Sequence, residues 1–149
     1  MENEIWVSVN NYEDSYEISS SGRIRSLDRE IKVPWRNKVR LQKIKGKILS
    51  LAIIGIRENN KYYVTSLSKN GKRHCLFVHR IVCEAFHGTP PTDKHQANHK
   101  NGNKLDNNVD NLEWVTRSEN MIHAYHILDS FSRKKTNRKT SIRNSKNMY

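Results

Sequence analysis

The stretch from His95 to Tyr125 leaves this chain few ways to fold, because its local signals change every few residues. His95 to His99 is a short run leading into Lys100-Asn101-Gly102-Asn103, and an Asn-Gly pair of this kind reverses a chain. Leu105 to Asp110 is rich in Asp and Asn, whose side chains bond nearby backbone groups and stabilise irregular loops. Leu112-Glu113-Trp114-Val115 then alternates in strand fashion. Thr116 and Glu119 form a T-x-x-E capping box that predicts a helix beginning near Arg117. The expected order is strand, loop, strand, helix. In that helix Asn120 occupies the first turn and His123 lies one turn on along the same side, while Met121, Ala124, Tyr125 and Leu128 make an apolar stripe elsewhere.

Asn111 and Asn120 follow His99 by 12 and 21 residues (111 − 99 and 120 − 99). With that spacing, the run Ala97 to Tyr125 resembles the HNH endonuclease motif in the version found in phage and intron-encoded homing endonucleases. The resemblance implies a ββα-metal site in which His99 is the general base, Asn98 and Asn120 hold a divalent metal, and Asn111 clamps the loop behind the base. His123 is a further candidate ligand. The chemistry suits these residue types. A histidine with an unperturbed pKa of about 6.5 is largely neutral yet basic at pH 7, and Mg²⁺ or Mn²⁺ takes hard oxygen ligands while keeping waters and substrate phosphate in its shell. Asn98 departs from the family, where Asp or His often stands, so both implied ligands are neutral amides. Neighbours on a strand also point to opposite faces, so Asn98 and His99 share one site only if the strand end is bent or bulged.

A second resemblance lies at the start. Glu4-Ile5-Trp6, Asn11 to Ser19 and Gly22 to Leu27 are similar to the nuclease-associated (NUMOD-type) module found ahead of HNH domains. Trp6, Tyr12, Tyr16 and Ile18 predict a small packed knot, with Ser21-Gly22 turning into a strand from Arg23 to Leu27. Alternation there turns Arg23 and Arg25 to solvent, within reach of phosphates. The family pattern has Gly where Asn11 stands, and Asn tolerates a left-handed conformation.

The net charge of +12 over 149 residues is unevenly spread. Residues 1–22 carry five acids and no Lys or Arg, residues 23–48 hold ten bases against two acids, and residues 129–149 hold seven bases against one. Strong basic runs flanking a near-neutral site suit a protein that grips a polyanion on either side of its chemistry. Lys32 to Lys47 reads as an irregular basic linker or DNA-tracking arm, with Arg36, Lys38 and Arg40 as phosphate contacts beside Arg23 and Arg25, and with Trp35 as a buried anchor or, in the alternative, a ring that stacks on a base or wedges into a groove. Ile48 to Ile56, Lys61 to Ser68 and Arg73 to Val78 read as strands, the last two joined at Asn70-Gly71. His79 to Phe86 reads as a short helix, ended by Gly88 to Thr92. His79 is expected to be packed or hydrogen-bonded. Cys75, His79, Cys83 and His87 recur every fourth residue, but ligands strung along one straight helix do not converge on a tetrahedral zinc. Ser130 to Tyr149 is expected to be disordered without nucleic acid.

These readings predict an α+β protein: residues 1–47 as the module and basic linker, 48–128 as the nuclease domain, and 129–149 as a basic tail. The implied function is metal-dependent hydrolysis of double-stranded DNA. One base and one metal per site predict a nick from a monomer and a double-strand break from a dimer. The alternative is a DNA-binding protein built on an inactive HNH frame. With no signal peptide or apolar run of transmembrane length, a cytoplasmic location and no membrane partner are expected.

Overall fold

The computed structural model describes residues 3–57 and 60–126; the predicted tail and Leu128 lie outside them. Trp6–Ser8 (β1), Tyr16–Ser19 (β2) and Ile24–Ser26 (β3) form an antiparallel meander. Alternate residues Tyr16 and Ile18 turn inward with Ile24, and all three are buried. Asn11, at φ 65°, adopts the left-handed conformation that its side chain tolerates.

The predicted irregular arm is in fact regular. Arg29–Trp35 (β4) and Lys38–Ile44 (β5) pair along their whole length as a two-stranded ribbon, turning at Arg36 with φ 54°. Ile31, Val33 and Trp35 alternate along one strand as pleating requires. Pro34 is tolerated because every second N–H of such a ribbon faces away from its partner. Trp35 is not a buried anchor. It is 54% exposed near the ribbon tip, with the Arg40 guanidinium 4.8 Å above its ring.

A second three-stranded sheet contains Ala52–Ile54 (β6), Tyr62–Lys69 (β7) and Lys72–Phe77 (β8). Asn70 and Gly71 both take positive φ between β7 and β8, as a tight right-twisted hairpin demands. The strand expected over Ile48 to Ile56 is shorter than its apolar run. Its first part lies against β3 instead, through Ser26 N–H to Lys47 O at 2.9 Å and Leu49 N–H to Ile24 O at 2.8 Å.

Helix α1 (Val78–Phe86) follows β8 directly. It buries Val78, Ile81, Val82 and Cys83, spaced as one helical face, against β2, β7 and the strand Leu112–Thr116 (β10). Strand β10 pairs antiparallel with His95–His99 (β9). Residues 117–126 are helical (α2). Val9, Ile18, Ile24, Leu67, Val82 and Leu112 belong to one apolar cluster, so the division expected at residue 47 does not separate two cores. Each such side chain contributes roughly 1.5–3 kcal/mol on full burial.

The first sheet also touches the loop behind His99. Val109 N–H donates to Ser20 O at 2.8 Å, and Gly22, at φ +83°, lies so close that an added Cβ would stand 2.8 Å from Asn107 Cβ. Gly22→Ala should therefore cost at least about 1–3 kcal/mol from the backbone conformation alone, with crowding in addition. Urea unfolding reads this as a lowered midpoint, and an unchanged midpoint would rule out a tight approach here.

Candidate active site

The loop between β9 and β10 is held by its own side chains. Asn101 Oδ1 accepts from Asn103 N–H at 2.8 Å, Asn103 Oδ1 from Leu105 N–H at 3.1 Å, Asp106 Oδ1 from Asn108 N–H at 3.3 Å, and Asn108 Oδ1 from Asp110 N–H at 3.0 Å. Each carboxyl or amide oxygen satisfies the backbone N–H two residues on, which is why Asp and Asn fill this segment. Asn111 ties the two ends together. Its Oδ1 accepts from Asn101 N–H at 3.0 Å, its Nδ2 donates to Asp106 O at 2.8 Å, and its carbonyl accepts from Lys100 N–H at 2.8 Å.

His99 closes β9 and is buried. Its Nε2 lies 3.2 Å from Asn107 Oδ1, an acceptor, so Nε2 carries the proton and Nδ1 keeps the lone pair. His79 Nδ1 is the one fully buried side-chain polar atom without a partner among the described residues. The His79 and Tyr62 rings stand 5.1 and 6.3 Å from the His99 ring. Burial lowers the His99 pKa below its ordinary value, while the Asn107 bond works in the opposite sense.

Asn98 looks the other way. Pairing of Asn98 with Glu113 and of His99 with Leu112 runs unbroken, so the bulge that would turn both side chains to one face of β9 is absent and the two neighbours emerge on opposite faces. The Asn98 amide nitrogen donates to Glu113 Oε1 at 3.0 Å and to His123 Nδ1 at 3.4 Å. His123 Nε2 in turn donates to Lys100 O at 2.8 Å. Both His123 nitrogens are thus engaged, which leaves it holding Asn98 and the loop entrance instead of offering a lone pair to a metal. Asn120 Nδ2 donates to Gln96 Oε1 at 3.3 Å. Gln96 and Asn98 share one face of β9, and Asn120 and His123, one turn apart on α2, face them.

Two amide oxygens here are of the kind that could serve a hard cation. The amide nitrogens of Asn98 and Asn120 are both committed to partners, and their carbonyl oxygens accept no hydrogen bond among the described residues. The capping box that starts α2 forms as expected, with Thr116 N–H donating to Glu119 Oε2 at 2.7 Å and Glu119 N–H to Thr116 Oγ1 at 3.3 Å. Met121, Ala124 and Tyr125 are exposed, because the polar side of α2 is the one turned to β9. Arg23 and Arg25 are less available than expected. Arg23 pairs with Glu4, Arg25 Nε lies 2.6 Å from Glu17 Oε2, and both guanidinium groups stand over the Trp6 ring.

Residues 76–122 match the family model for the HNH endonuclease, and residues 4–68 match that for the NUMOD4 motif. The chain carries a NUMOD4 motif followed by an HNH endonuclease domain. It is 36% identical over 111 residues to an uncharacterised HNH endonuclease of Acanthamoeba polyphaga mimivirus, covering 74% of this chain and 27% of that protein. It is 29% identical over 120 residues to the DNA endonuclease I-HmuI of Bacillus phage SP01, covering 78% of this chain and 55% of that one. The chain therefore spans about a quarter and about half of these two relatives' lengths. The structure of "DNA binding and cleavage by the HNH homing endonuclease I-HmuI" superposes with a TM-score of 0.56 at 25% identity, covering 94% of this chain and 68% of that one. The NUMOD4 match runs past residue 47 through most of β7, in keeping with the shared core.

Asn107, Glu113, His79 and Tyr62 were not legible as parts of the HNH site. Asn107 resembles its neighbours in an Asn-rich loop, and Glu113 becomes visible only once the β9–β10 register places it opposite Asn98. His79 is packed as expected, and burial drives its pKa down to about 3, helped by His99, Arg80 and Lys104. Its folded pKa is below the unfolded value of about 6.5, so its contribution to stability is fully present above pH 6.5 and is lost as pH falls toward 3. The slope is about 1.4 kcal/mol per pH unit. His79→Phe should flatten this acid limb in urea titrations between pH 6.5 and 4.5, and an unaltered slope would place the proton uptake elsewhere.

Proposed function

We propose that this chain is a divalent-metal-dependent DNA endonuclease. The observation that carries the reading is the state of His99: a ring fixed by Asn107 through Nε2 and kept neutral by burial, with the lone pair on Nδ1, at the end of β9. In this mechanism His99 takes a proton from water as its oxygen attacks phosphorus and the bond to the leaving sugar oxygen breaks. Asn98 and Asn120 would hold Mg²⁺ or Mn²⁺ through their amide oxygens, and that ion would neutralise charge on the phosphate and leaving oxygen. Asn111 keeps the loop, and so the His99 backbone, in place.

Duplex binding is assigned to the β4–β5 ribbon. A two-stranded ribbon fits the major groove, and this one carries Arg36, Lys38 and Arg40 around the exposed Trp35. Arg23 and Arg25 play a smaller part, since Glu4 and Glu17 already offset their charge. Lys94 and Arg117 line a depression beside Gln96 and lie within reach of a flanking phosphate. With a single base and metal in each chain, the product is a nick.

Supercoiled plasmid with Mg²⁺ or Mn²⁺ tests the reading. Relaxed circles should form, disappear with EDTA, and fall at least 100-fold with His99→Ala while the duplex is still retained on a gel. Retention without cutting under any metal would leave a DNA-binding protein on an inactive frame. Replacing Arg36, Lys38 and Arg40 together by Ala should make the slope of log K against log salt shallower by about 2–3, which duplex titrations over a salt series would measure. An unchanged slope would remove the ribbon from the interface.

A further inference from the structure

The two hydrogens of the Asn98 amide have two different acceptors. One is Glu113 Oε1 at 3.0 Å, directly opposite across the β9–β10 ladder, and the other is His123 Nδ1 at 3.4 Å. His123 Nδ1 must be an acceptor, because Nε2 spends its proton on Lys100 O. Turning the Asn98 amide over would set its oxygen against a carboxylate and an imidazole lone pair. The orientation is therefore fixed twice, and only Oδ1 is left to face outward.

We propose that Glu113 is a positioning residue for the metal site: with His123 it locks the Asn98 amide so that Oδ1 is the ligand atom. The inference rests on reading Asn98 as a metal ligand. Asn98 is then matched to its neighbours and is not a weakened Asp. An Asp at this position would hold one carboxylate oxygen about where Nδ2 now stands, facing the Glu113 carboxylate, and like charges so placed disfavour each other. Residue 98 should be Asn when Glu stands opposite, and Asp when the opposite residue can donate a hydrogen bond. Groups that orient a ligand this way are commonly worth 10–100-fold in metal affinity.

The experiment is a Mn²⁺ titration of the full chain, read by the electron paramagnetic resonance signal of the free ion, alongside the Mn²⁺ concentration for half-maximal nicking. The variants are Asn98→Ala, Asn98→Asp, Glu113→Gln, and Asn98→Asp with Glu113→Gln. Asn98→Asp should weaken Mn²⁺ binding by roughly tenfold, whereas Glu113→Gln, whose amide oxygen still accepts from Asn98 Nδ2, should change it by less than about threefold. The double variant should return to within about threefold of the parent, since Gln can donate to the new carboxylate. That reversal separates positioning from misfolding, because a damaged fold would stay weak in both backgrounds. Tighter binding by Asn98→Asp alone, or losses that simply add in the double variant, would overturn the proposal while leaving Asn98 a ligand. Undiminished Mn²⁺ binding by Asn98→Ala would instead sink the ligand reading itself, and this proposal with it.

Discussion

The register of β9 against β10 is the constraint on which the site depends. With Leu112 opposite His99 and Glu113 opposite Asn98, alternation sends the histidine toward α1 and the asparagine toward α2. A slip of one residue would exchange those faces, burying an amide where an aromatic cluster now surrounds an imidazole. The Asp and Asn loop prevents the slip, because Asn111 fixes both ends of the segment joining the two strands. His99 and Asn98 thus emerge from two sides of a single strand end, each with its own supporting shell.

Those shells differ in kind. Around His99 are rings and a single amide, a partly desolvated environment that disfavours a charged imidazole. Around Asn98 are a carboxylate, an imidazole lone pair and the polar face of α2, an environment that organises donors and acceptors. One side favours a neutral imidazole and the other an oriented amide. Tyr62 and His79, from β7 and α1, reach the first side, so the sheet preceding the HNH segment completes its environment.

Much of this architecture was legible in residues 95–126, because each element there carries its own punctuation: an Asn-Gly turn, spaced Asp and Asn residues, and a capping box. The Asn-Gly hairpin between β7 and β8 and helix α1 were legible for the same reason. The β4–β5 ribbon was not. Its dense charge and Pro34 read as a linker, whereas the alternation of Ile31, Val33 and Trp35 and the pairing partner in β5 decide the matter. Trp35 shows why burial is harder to infer than local structure: its surroundings depend on whether another element packs over the ribbon, and none does among the described residues. The facing of Asn98 by Glu113 is a tertiary fact of register that no local pattern contains.

The close approach of Gly22 to Asn107, together with the apolar cluster running from Ile18 to Leu112, bears on how such proteins can be assembled from parts. Two family patterns meet in this chain between residues 68 and 76, yet the hairpin at that junction belongs to one sheet. A segment cut there would carry the whole β9, β10 and loop sequence while leaving Leu67, Ile18 and Ile24 behind, and α1 would lose the surface it packs on. Two family patterns thus share one folded core, and a graft of the HNH segment onto another scaffold has to bring the N-terminal meander with it.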